Sequence, residues 1–484
     1  MAGDAERLVA DAVVVGSGAG GGPVAAVLAE SGRRVVVVEA GPRLEAGDFT
    51  GDEAEMTARL WKLAATTDVA MSLYAGACVG GSTVINDALC FRPPPEVLAQ
   101  WRTAHGLVAL TDEVWAPFVE RAWTDLHAEE TGPDHLNRNA RLLALGARRL
   151  GWSASATPRS VRDCVNLGLC NYGCPSNAKQ STLVTYVPRA ERAGARVLHS
   201  TRVERIRIED GAVRGVDAVR ADGTRVALDA PLVCVAAGVL ETPALLLRSG
   251  IGGRAGRGLQ FHSSVHVTAR FPEPVHGYYG PTMAYAVDEL SDVHGHRGPG
   301  AMIESVTVHP VVAASALPGF GAAHAETMAA LPYLARALVV IHDRTRGTMT
   351  ADGAVSYALA AEDVERLRAG MIGAASCYLN AGADEVVLPI HGTTPIRREV
   401  ELAPVMKMPL RPSDLATLYA VHLFGGAAMG GTPAEGVCDA RGAAFGVRGL
   451  HVVDAASLPS ATGVNPQITI VANALRMAAE MVTS

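Results

Sequence analysis

The sequence predicts an α/β fold: a parallel sheet covered by helices, interrupted by a second region of α+β type with a mainly antiparallel sheet. Three observations predict it. Residues Asp11 to Val15 form a short apolar run, a glycine-rich turn follows, and a second apolar run ends at the acid Glu39. Near the other end, GVRGLHVVDAASLPS reads as an apolar strand ending at Asp454, and ITIVANALRMAAEM after Asn465 carries a helical pattern. Between them, Thr201 to Ala230 alternates apolar and polar residues around Asp-Gly turns, as hairpin strands do.

The opening element carries the first chemistry. Short continuous apolar runs suit strands buried on both faces of a parallel sheet. Gly16-Ser17-Gly18-Ala19-Gly20-Gly21 then leads into PVAAVLAESG, a helix closed by Gly32. Gly16 permits the tight turn, Gly18 lets the backbone approach a pyrophosphate, and Gly21 lets helix pack on strand. The helix N-terminus then faces the phosphates, because its unpaired N–H groups and dipole favour negative charge. Glu39 stands 23 residues after Gly16, where an acidic side chain reaches a ribose hydroxyl. This is a Rossmann-like dinucleotide-binding segment, and by itself it does not separate FAD from NAD.

Composition narrows the class. The 484 residues carry 42 Lys+Arg against 49 Asp+Glu, a formal charge of -7, with no basic run to neutralise phosphates, so nucleic acid is not an expected partner. No uninterrupted apolar stretch reaches the roughly 18 residues of a spanning helix. The start, MAGDAERLVADAVVVG, lacks the parts of a secretory signal, and a cytoplasmic location is expected. Eight cysteines are too few for a disulfide scaffold.

The C-terminal seventy or so residues decide the cofactor. His422-Leu423-Phe424-Gly425-Gly426 stands upstream of Gly463-Val464-Asn465-Pro466-Gln467. Farther back lie YAGACVGGSTVINDALCFRP (Tyr74 to Pro93), CVAAGVLETPALLLRSG (Cys234 to Gly250), GRGLQFH (Gly256 to His262), IHDRTRG (Ile341 to Gly347) and AGADEV (Ala381 to Val386). In this order the segments resemble the glucose-methanol-choline (GMC) flavin oxidoreductases. The His…Asn form and the middle segments are most similar to the long-chain-alcohol and sterol oxidase branches. The resemblance implies FAD. It implies that Gly16, Gly18 and Gly21 meet the pyrophosphate, Glu39 the adenosine ribose, and Val203 the adenine through its backbone. It implies that Gly81, Asn86, Ala237, Asp454, Asn465 and Pro466 contribute to the rest of the cofactor site.

The residue types at His422 and Asn465 suit alcohol oxidation. Removing a hydroxyl proton needs a base with a pKa near the working pH, which favours histidine. A developing alkoxide needs a fixed donor, and an amide provides one without charge. The expectation is oxidation of an alcohol to an aldehyde or ketone, with His422 as base and Asn465 orienting the oxygen, and hydride passing to flavin N5. The apolar runs PVVAASALPGFGAA and MAALPYLARALVVI favour a hydrophobic alcohol. Two other classes stay open: a lyase or decarboxylase on the same fold, and a flavoprotein subunit that carries electrons for a partner.

Cys164, Cys170 and Cys174 form a C-x5-C-x3-C run ending in Cys-Pro. Clustered thiolates ligate iron–sulfur clusters, and the spacing resembles that of FAD-dependent sugar dehydrogenases that carry [3Fe-4S]. The competing reading is structural packing or thiol chemistry beside the flavin. A cluster would imply an electron-accepting protein or quinone as partner. His294-Gly295-His296 offers no third metal ligand nearby.

The FAD-binding domain is expected from residues 1–100, 190–265 and 415–484, and the substrate-binding region from 101–189 and 266–414. The Gly/Ala/His-rich stretch from Asp292 to Met328 reads as a loop or lid.

Overall fold

The computed structural model describes residues 6–483. The first residues of the segment read for a leader, and of the expected FAD-binding domain, therefore lie outside the described residues, as does the last residue of the chain. The valine runs at the N-terminus become the middle of a five-stranded parallel sheet, in the order Leu450–Val452, Val233–Val235, Ala12–Val15, Val35–Val38, Arg196–Leu198. Val13 pairs with Val36 and with Val233, so strands from both ends and the middle of the chain meet side by side. Ala12–Val15 and Val35–Val38 are buried at every position. Their unbroken apolar pattern reflects coverage of both sheet faces.

Helix Gly21–Glu30 follows the first strand, and helices Tyr186–Arg192 and Gln467–Thr483 pack beside it. The alternating segment forms strands Thr201–Glu209, Ala212–Arg220 and Arg225–Asp229, joined to Glu6–Val9 in a four-stranded sheet. Its turns fall at Asp210-Gly211 and Asp222-Gly223, as expected.

The second layer is an eleven-stranded sheet. Its axis is the 14-residue strand Arg257–Arg270, which pairs antiparallel with Leu334–Ile341 on one side and Tyr419–Phe424 on the other. Strands Trp61–Ala65 and Ser72–Gly76 extend it beyond Tyr419–Phe424, where the contact with Ser72–Gly76 is parallel. The expected mixed architecture is therefore observed, with a mainly antiparallel second sheet.

Strand alternation sorts this sheet into two faces. Gly370 and Gly373 of the 21-residue helix Ala361–Ala381 pack against Val339 and Ile303, so the odd-numbered aliphatics face that helix. The even-numbered positions of the same strands include Glu304, Arg336, Leu338 and Val340, and Leu338 and Val340 cluster instead with Leu89, Met283 and Val306. This second face carries unusual polarity for buried strands.

The stretch from Asp292 to Met328 is not a loop throughout. Ala301–Ser305 is a fully buried sheet strand, and helices Pro310–Ala316 and Gly321–Ala329 follow. Its abundance of Gly and Ala reflects close packing and short helices. Among the described residues, no helix is long and apolar enough to cross a membrane.

Candidate active site

A cavity of about 490 Å³ runs along the junction of the two sheets. Gly16, Gly18, Glu39, Gly81, Asn86, Val203, Ala237, Asp454, Asn465, Pro466 and His422 all line it. Gly21 does not; it packs the helix onto the turn, where a Cβ would lie 2.0 Å from the Gly16 carbonyl oxygen. Gly16 itself has φ +96°, and a side chain there would strike the Ala236 carbonyl at 2.2 Å. These two positions admit only glycine, one for backbone conformation and one for close approach.

Glu39 extends from the end of strand Val35–Val38 and is buried. Its carboxylate accepts the Ser17 N–H at 3.0 Å, the Ser17 hydroxyl at 2.6 Å and the Gly41 N–H at 3.0 Å. Burial raises its pKa, against the pull of these donors. Asp454 is similarly occupied: it accepts from Gly238 N (2.7 Å), Thr242 Oγ1 (2.6 Å) and Ala456 N (2.9 Å), tying the end of one sheet strand to the start of helix Thr242–Arg248. Both acids shape the cavity by holding backbone in place.

His422 lies on strand Tyr419–Phe424, and Asn465 on the turn that precedes helix Gln467–Thr483. Their side chains meet at the cavity wall, with Asn465 Nδ2 3.4 Å from His422 Nε2. Burial pushes the His422 pKa down to about 4, so the ring is neutral near pH 7. Behind it stands His262, fully buried, with its Nδ1 3.1 Å from His422 Nδ1.

Sequence reasoning missed the roles of three residues, one at the glycine turn and two near this pair. Ser17, inside the glycine turn, is the partner that fixes Glu39. Glu304 is fully buried, and neither carboxylate oxygen completes a hydrogen bond. Burial and the charge of Asp87 push its pKa up to about 8, although the facing Asn465 amide favours the charged form. A lone acid within AMIES gives no signal in the sequence. His262 sits in a segment that was noticed, but its role depends on an approach of strands that spacing does not reveal.

The three clustered cysteines are free thiols around a small separate recess. Among the described residues, no group of three or more His, Cys, Asp or Glu side chains is arranged to hold a metal ion. The iron–sulfur reading of Cys164, Cys170 and Cys174 thus finds no support in this geometry. Cys170 Sγ instead accepts a guanidinium N–H of Arg159 at 3.1 Å. Buried Lys179, five residues after Cys174, donates to the carbonyls of Val84, Asn86 and Cys170. That ammonium ties the cysteine loop to the backbone behind the cavity wall, an arrangement of packing and hydrogen bonds.

Comparison with known proteins identifies the family. Family profiles described as GMC oxidoreductase match residues 11–264 and 343–474. An uncharacterised GMC-type oxidoreductase of Mycobacterium tuberculosis is 37% identical over 483 residues, covering 98% of this chain and 76% of the relative. A long-chain-alcohol oxidase of Arabidopsis thaliana is 29% identical over 510 residues, covering 99% and 68%. Among solved structures, pyridoxine 4-oxidase from Mesorbium loti superposes with a TM-score of 0.75 at 19% identity, covering 98% of this chain and 99% of that one. Together these show that the chain belongs to the GMC oxidoreductase family.

Proposed function

We propose that this protein binds FAD in the cavity between its two sheets and oxidises the CH–OH group of a hydrophobic alcohol to an aldehyde or ketone. The observation that carries the reading is the meeting of His422 and Asn465 on the wall of the same cavity that the Gly16 turn opens. The fit to the cofactor is sterically sensible. A Cβ on Gly18 would meet nothing closer than Gly81 Cα at 3.7 Å, so backbone borders the cavity there with room for a phosphate to approach. Glu39 and Val203 would hold the adenosine end, Gly16 and Gly18 the pyrophosphate, and Asn86, Asp454, Asn465 and Pro466 the far end. FAD supplies a hydride acceptor when bound.

The chain's own residues supply orientation and proton handling. His422 and Asn465 converge on the place where a substrate oxygen would lie, and each offers an uncharged polar group. A neutral imidazole has one lone pair and one N–H. The lone pair would take the hydroxyl proton, whereas the N–H would hold the oxygen, and the group behind the ring selects between them. Leu89 and Met283 line the cavity on its substrate side, beside the apolar row of Leu338 and Val340, which supports an apolar substrate. The long-chain-alcohol oxidases among the relatives point to the same class.

Anaerobic mixing of the flavin-loaded protein with a series of primary and secondary alcohols, from short to long and aromatic, tests this reading. Flavin bleaching that improves with chain length is expected. A flavin that no alcohol reduces would overturn it.

A further inference from the structure

Three nitrogens behind the candidate site leave little choice about where protons sit. His262 Nε2 lies 3.0 Å from the backbone N–H of Gly463 and accepts from it. A peptide N–H carries its hydrogen in a fixed direction and can only donate. His262 Nε2 must therefore hold a lone pair. The ring is fully buried, with His422 and His342 as its ionisable neighbours, and it stays neutral. Its one proton is then on Nδ1, the nitrogen that faces His422 Nδ1 at 3.1 Å. His422 Nδ1 must accept, and the proton of the neutral His422 ring moves to Nε2, beside Asn465.

The anchor of this chain is itself held. Gly463 has φ +72°, a conformation that disfavours other residues, and a side chain there would press on Val293 and His342. His342 in turn is fixed by Asp292, 2.9 Å from its Nδ1. The reversed pattern would need His262 Nε2–H to point at the Gly463 N–H, two donors 3.0 Å apart.

We propose that His262 is a positioning residue that fixes His422 as a hydrogen-bond donor, so that His422 Nε2–H and Asn465 Nδ2–H form a two-donor cradle for the substrate oxygen. The proposal rests on the alcohol-oxidation reading for the identity of that oxygen, but not for the proton positions. The 3.4 Å between the two nitrogens is long for a hydrogen bond. In this arrangement both carry hydrogens, so neither satisfies the other and both remain for an acceptor. Two fixed donors on one oxygen stabilise it as it gains negative charge.

The test is neutron diffraction from deuterium-exchanged crystals of the oxidised FAD-bound protein. Nuclear density for deuterium at His422 Nε2 and His262 Nδ1, with none at His422 Nδ1, is the expected result; deuterium at His422 Nδ1 would overturn the proposal. A kinetic comparison gives a second reading. His262→Asn keeps an amide donor near the Nδ1 position, whereas His262→Leu removes it. The Leu variant should reduce its flavin roughly tenfold or more slowly, with a displaced pH profile, and the Asn variant should recover most of the rate. Identical rates and pH profiles for the two variants would overturn it. Should no alcohol reduce the wild-type flavin, the functional reading fails, while the deuterium pattern still decides the proposal.

Discussion

The hydroxyl of Ser17 joins the two halves of the candidate cofactor site: it donates to Glu39 at 2.6 Å and accepts the Gly80 N–H at 2.9 Å. Glycine turns are usually discussed for what they leave out, but here the one polar side chain in the turn does the joining. Ser17→Ala would deprive a buried carboxylate of one donor and leave the Gly80 N–H without its partner. Loss of a hydrogen bond to a buried charged group costs about 1.5–3 kcal/mol, equivalent to about tenfold or more in affinity. The expected outcome is correspondingly weaker FAD binding, read by titrating apoprotein with FAD and following flavin fluorescence. Unchanged affinity would show that Glu39 holds its place without Ser17.

His422→Ala should separate binding from chemistry. The ring is one of many groups on the cavity wall and makes no hydrogen bond to Glu39, Asp454 or the glycine turn, so cofactor retention should survive. Loss of a positioned acid–base or donor group typically costs about 10²–10⁴ in rate. Single-turnover flavin reduction by the best alcohol measures it directly. A near-normal rate in a flavin-loaded variant would remove His422 from the reaction.

Glu304 makes a prediction about stability with an unusual sign. Its pKa rises on folding from the ordinary 4.5 to about 8, with burial the main cause, Asp87 adding to it and Asn465 opposing it. Between those values the folded protein holds a proton that the unfolded chain has released. Stability therefore falls as pH rises from about 4.5 to about 8 and levels off above. Glu304→Gln removes that dependence, so its thermal stability relative to wild type should improve steadily across this window. A stability difference independent of pH would show that Glu304 is charged in the folded state.

Much of the fold is legible in the chain because its signals are local. Four consecutive valines can only be covered on both faces, and the Asp-Gly turns at 210–211 and 222–223 set hairpins where they stand. The cavity lining was equally readable through glycines, whose φ or packing demands leave a mark in the sequence. What could not be read is the second sheet's polar face. Arg336 and Glu304 sit in apolar strands and look like ordinary interruptions of a period-two pattern. Their meaning comes from which face the helix Ala361–Ala381 covers, a long-range fact. The cysteine run leaves two readings open for a related reason: close spacing does bring the three thiols to one recess, but their partners, Arg159 at Cys170 and Ser176 with the Lys179 N–H at Cys174, are set by the fold and not by the spacing.

Lys179 offers the sharpest test of that loop's role. Its buried ammonium donates to three carbonyls, those of Val84, Asn86 and Cys170, and among the described residues no carboxylate pairs with it. Burial lowers its pKa, which the nearby Cys170, Asp87 and Cys174 oppose. Lys179→Met keeps the length of the side chain but strands three carbonyls in a dry interior. Each unsatisfied carbonyl costs about 1–3 kcal/mol, so the variant should lose stability by about 3 kcal/mol or more and release FAD more readily, because Asn86 is part of the cavity wall. Purified wild-type protein, assayed for iron and acid-labile sulfide, should contain flavin without a stoichiometric cluster. If instead about three irons per chain were found, and Lys179→Met shed iron together with flavin, the loop would be a cluster-binding element and the ammonium its support. Flavin loss without iron in either protein assigns the loop to holding Asn86 in place.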